Sequence, residues 1–522
     1  MSIRKRGRIN FVLVVCLLVG WGLPVTAAAA AVGQAVETDS GPVNGAVTAG
    51  VLSFQGIPYA AAPVGARRWV SPQAPPAWAE PLDATRAPAA CPQPGNAGDE
   101  DCLKLNVFAP TSAGAAKRPV LVWFHGGGFV VGSGALYDPA RMVARGDVVV
   151  VTVNYRLGVF GFLAHRSLDA PGGRSGDFGL EDQQAALRWV QRNAAAFGGD
   201  PARVTAFGES AGATSLCGQL VSPRAAGLFL RAILQSGPCA VPFRTRDEAE
   251  PDGERVAAAA GCAGADPAGC LRGRSPAELL AAAGSQAWQP VVGTAVLPVQ
   301  PADALRAGDL PQIDLLVGGN RDEARFLVGP RYDGAGTPVT AAQYPELIRQ
   351  GYGAASDKVL ARYPLAGYPT PSLALAAANT DYQDALPRIS VCPTLWTAEL
   401  AARHARVRAY EFSDRTAPPR TDIPGFPSGA QHTAELQYLF RYAEAGAELT
   451  ASQRALGDTM IGYWTSFART GVPDSPGAPA WPRFGSSTDV LSFAEGPGGI
   501  APVDLAAEHQ CGFWASLGVP GS

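Results

Sequence analysis

The strongest chemical signal in the sequence is Gly208-Glu209-Ser210-Ala211-Gly212, which directly follows the apolar, β-branched run 203–207 (RVTAF). A G-x-S-x-G segment at a strand-to-helix turn can thrust a serine hydroxyl out at the top of a sheet, because glycines permit so tight a turn. The pattern predicts Ser210 as a nucleophile. A second glycine run, His125-Gly126-Gly127-Gly128-Phe129, follows the run 119–124 (PVLVWF). Acyl transfer develops negative charge on an oxygen, and preorganised backbone N–H groups that glycines allow to approach closely can stabilise it. Phosphate binding is the rival use of such a loop, but the lysine of a P-loop and the spacing of a dinucleotide fingerprint are both missing.

A serine hydroxyl needs a base, and a histidine base needs an acid that fixes its tautomer. With an elbow serine the chain order runs Ser, then Asp or Glu, then His. That order leaves His404, His432 and His509 as bases. His404 falls in an amphipathic helical stretch and His509 stands beside Cys511 near the end of the chain. His432 ends a Gly- and Pro-rich loop just before the helical stretch 433–440, so the pattern favours it. For the acid, Asp322 and Glu323 follow the apolar run 314–317, at the carboxyl end of a strand where ligand sites gather. Pattern alone does not separate these two.

The elements that must position these groups read as an α/β arrangement. Runs 119–124, 147–154, 203–207 and 232–235 are short, continuous and apolar, as expected of strands buried on both faces. Between the second and third of these, Leu187, Val190, Ala194 and Phe197 recur at helical spacing. This alternation predicts a mostly parallel sheet flanked by helices. The second half adds strands at 314–317 and 407–412 and helices at 395–404 and 455–469. The Ala-, Tyr- and Pro-rich stretch 329–388 reads as a helical cap. Length alone suggests three or four domains, but no linker, repeat or charge run divides the chain, so one large domain is expected over 32–522.

Composition narrows the partners. The 522 residues carry 42 basic and 45 acidic side chains, a net charge of −3, and 47% hydrophobic residues. That balance excludes the basic footprint of a nucleic-acid binder. Arg4, Lys5, Arg6 and Arg8 precede an apolar stretch at 11–23, then Pro24 and alanines at 27–31, which reads as an export leader over 1–31. A secreted or periplasmic protein without stable membrane insertion is expected. Cys16 lies in that leader, leaving eight cysteines, an even set suited to disulfides in an exported chain. Close spacing favours Cys91–Cys102, Cys217–Cys239 and Cys262–Cys270, with Cys392–Cys511 as the remaining expected pair and Cys217 the best candidate for a buried free thiol instead. No metal is expected, since no two cysteines show close zinc-ligand spacing. Abundant Arg and Ala beside only four lysines suggest a GC-rich bacterial genome.

With these residues in hand, the chain resembles the type-B carboxylesterases, an α/β-hydrolase family, from about Gly56 to Trp514. The resemblance rests on Gly56-Ile-Pro-Tyr-Ala60, the segment 100–107 (EDCLKLNV), Asn154-Tyr-Arg-Leu-Gly158, Asp182-Gln183 with Trp189-Val190, Phe197-Gly-Gly-Asp-Pro201, Gln235-Ser-Gly237 and Tyr463-Trp-Thr-Ser-Phe467. It implies an α/β-hydrolase fold with Ser210 as nucleophile, Glu323 rather than Asp322 as acid, and His432 as base. It also implies oxyanion donors on Gly127, Gly128 and Ala211, polar supporting positions at Glu209 and Ser236, and the disulfides Cys91–Cys102, Cys262–Cys270 and Cys392–Cys511. Two positions depart from the family: Asp177 replaces an Asn, and Val291-Val292-Gly293 lacks the Asp that commonly follows the valines. The segment between Cys91 and Cys102 holds no tryptophan of the choline-binding kind. The expectation is a serine ester hydrolase that needs no cofactor, works through an acyl-enzyme and acts on a small-molecule or lipid-like ester. Phe129 and Phe326 are expected to line its pocket. Acyl transfer, polymer-ester or lactone hydrolysis, and a non-catalytic adhesion or scaffold role are the alternatives.

Overall fold

The structure, a computed structural model, describes residues 31–111, 117–171, 173–383 and 389–522. The expected leader lies outside the described residues except for Ala31, where the first strand begins. Strands β1 (Ala31–Thr38), β2 (Gly41–Thr48), β3 (Val51–Pro58) and β4 (Lys104–Pro110) make an antiparallel flank. The expected parallel strands follow as β5 (Arg118–Phe124), β6 (Val149–Val153), β7 (Gly199–Glu209) and β8 (Arg231–Gln235). They continue as β9 (Asp314–Asn320), β10 (Arg406–Phe412) and β11 (Val490–Phe493), and β12 (Ile500–Val503) closes the sheet antiparallel to β11.

In this sheet β5 lies between β6 on one side and β7 on the other, both parallel to it. The chain therefore reverses its direction of winding there, and the carboxyl ends of β5 and β7 border a crevice of the kind in which α/β sheets bind ligands. Both glycine runs identified above leave the sheet at those two ends.

Side chains alternate across a strand, and the β5 residues sort accordingly. Val120, Val122 and Phe124 join one buried cluster, whereas Leu121 and Trp123 join the other. The continuous apolar run is thus two interleaved core faces, each covered by helices. The helix α1 (Ala211–Val221) packs on β7 from one side and α2 (Ala451–Thr470) from the other. Fully burying a Leu or Phe side chain contributes roughly 1.5–3 kcal/mol, so a charge at Leu121 or Leu316 would empty the fold of much of its margin.

Disulfides join Cys91 to Cys102, Cys217 to Cys239, Cys262 to Cys270 and Cys392 to Cys511. The last spans 119 residues and pins the C-terminal helix Cys511–Ser516 to the helix Val391–Ala402. In the chain-entropy picture a loop of that length contributes about 4–5 kcal/mol, more than the short loops do. Cys217 is therefore paired, not a free thiol. Among the described residues no helix is long and apolar enough to cross a membrane. The cap region holds the helices Tyr344–Tyr352, Ser356–Arg362 and Pro371–Asp381. The helix expected over 433–440 shortens to Leu436–Leu439, because Thr433 takes a left-handed backbone (φ 71°) that a helix cannot pass through.

The two departures from the family pattern meet in the core. Asp177 accepts hydrogen bonds from the Val291 amide (2.9 Å) and the Thr294 hydroxyl (2.5 Å). Burial pushes its carboxyl up to about 7, against those two donors.

Candidate active site

Ser210 sits between β7 and α1 with φ 56° and ψ −121°, a strained conformation for a residue with a Cβ. Its amide donates to the Gln235 carbonyl at 2.8 Å, which holds the turn against β8. Gly212 makes the turn possible: a Cβ there would stand 1.9 Å from the Phe124 carbonyl oxygen. The serine faces a cavity of about 520 Å³, bordered also by Gly126, Gly127, Gly128, Glu209 and His432.

His432 is buried and clamped. Its Nδ1 lies 2.6 Å from Glu323 Oε2, and its amide donates to the Glu323 carbonyl. Glu323 in turn accepts at Oε1 from the Ser236 hydroxyl (2.5 Å) and the Asn320 amide (2.8 Å). These contacts fix the acid's orientation and leave one oxygen for the imidazole. The neighbouring Asp322 points elsewhere: it accepts from Arg415 through two bonds of 2.9 Å and from the Ala430 amide. The pair that local pattern does not separate is divided by the turn after β9, which sends adjacent side chains to different partners, as the family resemblance implies.

The second imidazole nitrogen, Nε2, lies 3.0 Å from Glu209 Oε1, an oxygen that gains no aligned hydrogen bond. Burial pulls the His432 pKa down, but Glu209 and Glu323 outweigh it and push the group up to about 9. Burial raises Glu209 to about 8, with His432 opposing. Glu435, behind them, accepts from Asn320 Nδ2 (2.6 Å) and Gln235 Nε2 (3.0 Å), so a network of amides carries the buried negative charge.

The glycine loop after β5 is shaped by left-handed Gly127 (φ 105°) and Gly128 (φ 63°). Among the described residues no protein acceptor takes the N–H groups of Gly127, Gly128 or Ala211. His125, at the loop's start, is buried, stacks on Tyr155, and is held neutral by burial, which lowers it to about 4. Gln93, from the first disulfide loop, clamps the far end through two hydrogen bonds with Gly132.

Phe326 borders the cavity and meets the His432 ring edge-on at 5.5 Å. Phe129 does not: it is buried against Phe162, centroids 4.9 Å apart, and stands outside the cavity lining. Its left-handed backbone (φ 61°) turns the ring into the core. Unforeseen in the sequence are Arg420 and Glu444, a 2.6 Å ion pair on the cavity wall, with the Arg420 guanidinium over Phe326. Tyr137, Leu327 and Ile389 complete much of the apolar wall. None of these carries a local motif, and each reaches the site only through the fold.

The model of the carboxylesterase family matches residues 33–514. The chain belongs to the carboxylesterase family. It is 35% identical to a fumonisin B1 esterase of Sphingopyxis macrogoltabida, covering 91% of this chain and 89% of that protein. It is 34% identical to a cocaine esterase of Homo sapiens, covering 90% and 88%. Among solved structures, a thermophilic PNB esterase superimposes with a TM-score of 0.77 at 32% identity, covering 92% of this chain and 99% of the other. This carboxylesterase is accordingly a serine ester hydrolase with the α/β-hydrolase fold.

Proposed function

We propose that Ser210, His432 and Glu323 carry the hydrolysis. The observation that supports this most is a strained serine lining a cavity it shares with a histidine whose Nδ1 is held at 2.6 Å by a buried, oriented carboxylate. Neutral His432 takes the Ser210 proton at Nε2 as the oxygen attacks the ester carbonyl, and Glu323 stabilises the imidazolium that forms. The oxyanion is received by the N–H groups of Gly127, Gly128 and Ala211. His432 then protonates the leaving alcohol, and water, activated the same way, releases the acid from the acyl-enzyme. Ser236 acts by holding Glu323 and Glu209 by placing negative charge beside Nε2. No cofactor enters these steps.

The substrate is a small-molecule or lipid-like ester. Supporting this are the cavity's size and its apolar lining, to which Tyr137, Phe326, Leu327 and Ile389 contribute beside the glycine loop. The four disulfides support export from the cell after removal of a leader over 1–31, with the catalytic unit formed by 32–522. The test is a series of p-nitrophenyl esters of increasing acyl length with wild type and Ser210→Ala. Turnover should be confined to the wild type and fall once the acyl chain outgrows the cavity; equal turnover by the variant refutes the assignment.

A further inference from the structure

A second cavity, of about 820 Å³, shares no lining residue with the one that holds Ser210. It lies at the carboxyl end of β9, is lined also by Glu508, His509 and Gln510 near the C-terminus, and its lining is of two kinds. One is cationic, with Arg321, Arg325, Arg362, Arg415 and His509. His509 is protonated at neutral pH, because Asp381 and Glu411 outweigh burial and raise it to about 10. Three carboxylates line the cavity against these five cations: Asp322, Asp381 and Glu508. Even with Glu411, which holds His509 from below, one positive charge is left over.

That surplus is Arg362. Its guanidinium rests over the Phe513 ring at 5.8 Å and makes no ion pair among the described residues. Arg321, by contrast, bridges Glu411 and Glu508. The apolar part of the lining comes from Tyr368, Pro369, Leu373 and Ala377. A guanidinium without a carboxylate beside a hydrocarbon wall is suited to an anion that carries a tail.

We propose that this cavity binds a carboxylic acid with a medium-length hydrocarbon chain, its carboxylate on Arg362 and Arg415 and its tail along Tyr368 and Leu373. Such an acid is the class of product that ester cleavage releases. A feedback consequence, which rests on the proposed function, follows from Asp322. Arg415 and Arg325 both hold Asp322, and Asp322 exchanges two hydrogen bonds with Ala430, two residues before His432. A carboxylate that draws Arg415 away loosens this tie, so the acid inhibits from outside the Ser210 cavity.

The test titrates octanoate, octanol, acetate and inorganic phosphate calorimetrically into the full chain after an organophosphate has capped Ser210. Capping is verified first by mass, so failure of the serine assignment shows itself before any ligand is added. Octanoate should bind one to one, more tightly than acetate or phosphate, with no heat from octanol. Arg362→Gln, at an exposed position, should weaken it by about tenfold or more, and Ala377→Trp, which fills the cavity, should abolish it. Binding unchanged in both variants, absent in wild type, or tighter for phosphate than for octanoate overturns the proposal. In steady-state assays of uncapped enzyme, octanoate should lower kcat in the wild type and not in Arg362→Gln; inhibition that raises only KM and survives the substitution overturns the feedback.

Discussion

Two buried histidines, His432 and His509, each sit between a pair of carboxylates. His509 donates Nδ1 to Asp381 at 2.6 Å and Nε2 to Glu411 at 2.7 Å, both as aligned hydrogen bonds. Glu411 is further held by Arg321. His432 has the same start, Nδ1 on Glu323 at 2.6 Å, but its Nε2 meets Glu209 without an aligned hydrogen bond and borders the cavity where Ser210 stands. A histidine satisfied at both nitrogens is a structural cation. One whose outer nitrogen lacks a committed acceptor can exchange partners, which a general base must do. The type of neighbour does not distinguish the two; the geometry at the second nitrogen does.

Replacing each histidine in turn gives the largest contrast. His432→Gln should lower kcat/KM by about four to six orders of magnitude, beyond the stability lost when Glu209 and Glu323 lose the cation between them. His509→Gln should leave kcat/KM near wild type while removing about 3–5 kcal/mol of stability, since Asp381 and Glu411 lose their shared cation. Activity lost equally in both, measured on folded protein, would erase the distinction. The acids sharpen it: Glu323→Gln should cost about 10²–10⁴ in kcat, and Glu411→Gln should act on denaturant midpoints instead.

The pH dependences differ in the same sense. The base form of His432 is neutral, and its pKa is raised to about 9, so kcat/KM of the free enzyme should climb with pH to an inflection well above 6.5. Glu209→Gln removes negative charge from Nε2 and should move that inflection down. For His509, a folded pKa of about 10 against 6.5 unfolded means that its stabilisation is whole below pH 6.5 and is lost as pH rises through 10. His509→Gln should flatten the stability curve over that window. The smallest effect belongs to Asp177, whose raised pKa means that its ionised form opposes folding. Its contribution therefore falls as pH climbs from 3.8 through about 7, and Asp177→Asn should remove that slope and stabilise the protein at pH 8 in urea titrations.

How much of this was legible in the sequence follows from what was local. The parallel strands were visible because both their faces are buried, and the serine elbow because the turn demands glycines at fixed offsets. The flank strands β2 and β3 were not, since each is only partly buried and is interrupted by Gly with Pro or Asn, as in GPVNGAVT. Position narrows the proposed acid to Asp322 or Glu323 and the family resemblance favours Glu323, but the contacts that orient it, from Ser236 and the Asn320 amide, come only with the fold. Phe129 was misplaced because a left-handed φ cannot be read from a ring's proximity to a glycine loop. Arg420 and Glu444 were invisible because charged residues in loops are ordinary until a cavity forms beside them.

The central claim is that one serine, Ser210, forms the acyl-enzyme with His432 as its base. Labelling the wild type with an organophosphate and mapping the adduct by peptide mass spectrometry tests it most directly. One adduct per chain is expected, on Ser210, accumulating in step with the loss of esterase activity and absent from His432→Gln on the same timescale. An adduct on any other residue, or full modification of Ser210 with activity intact, contradicts it.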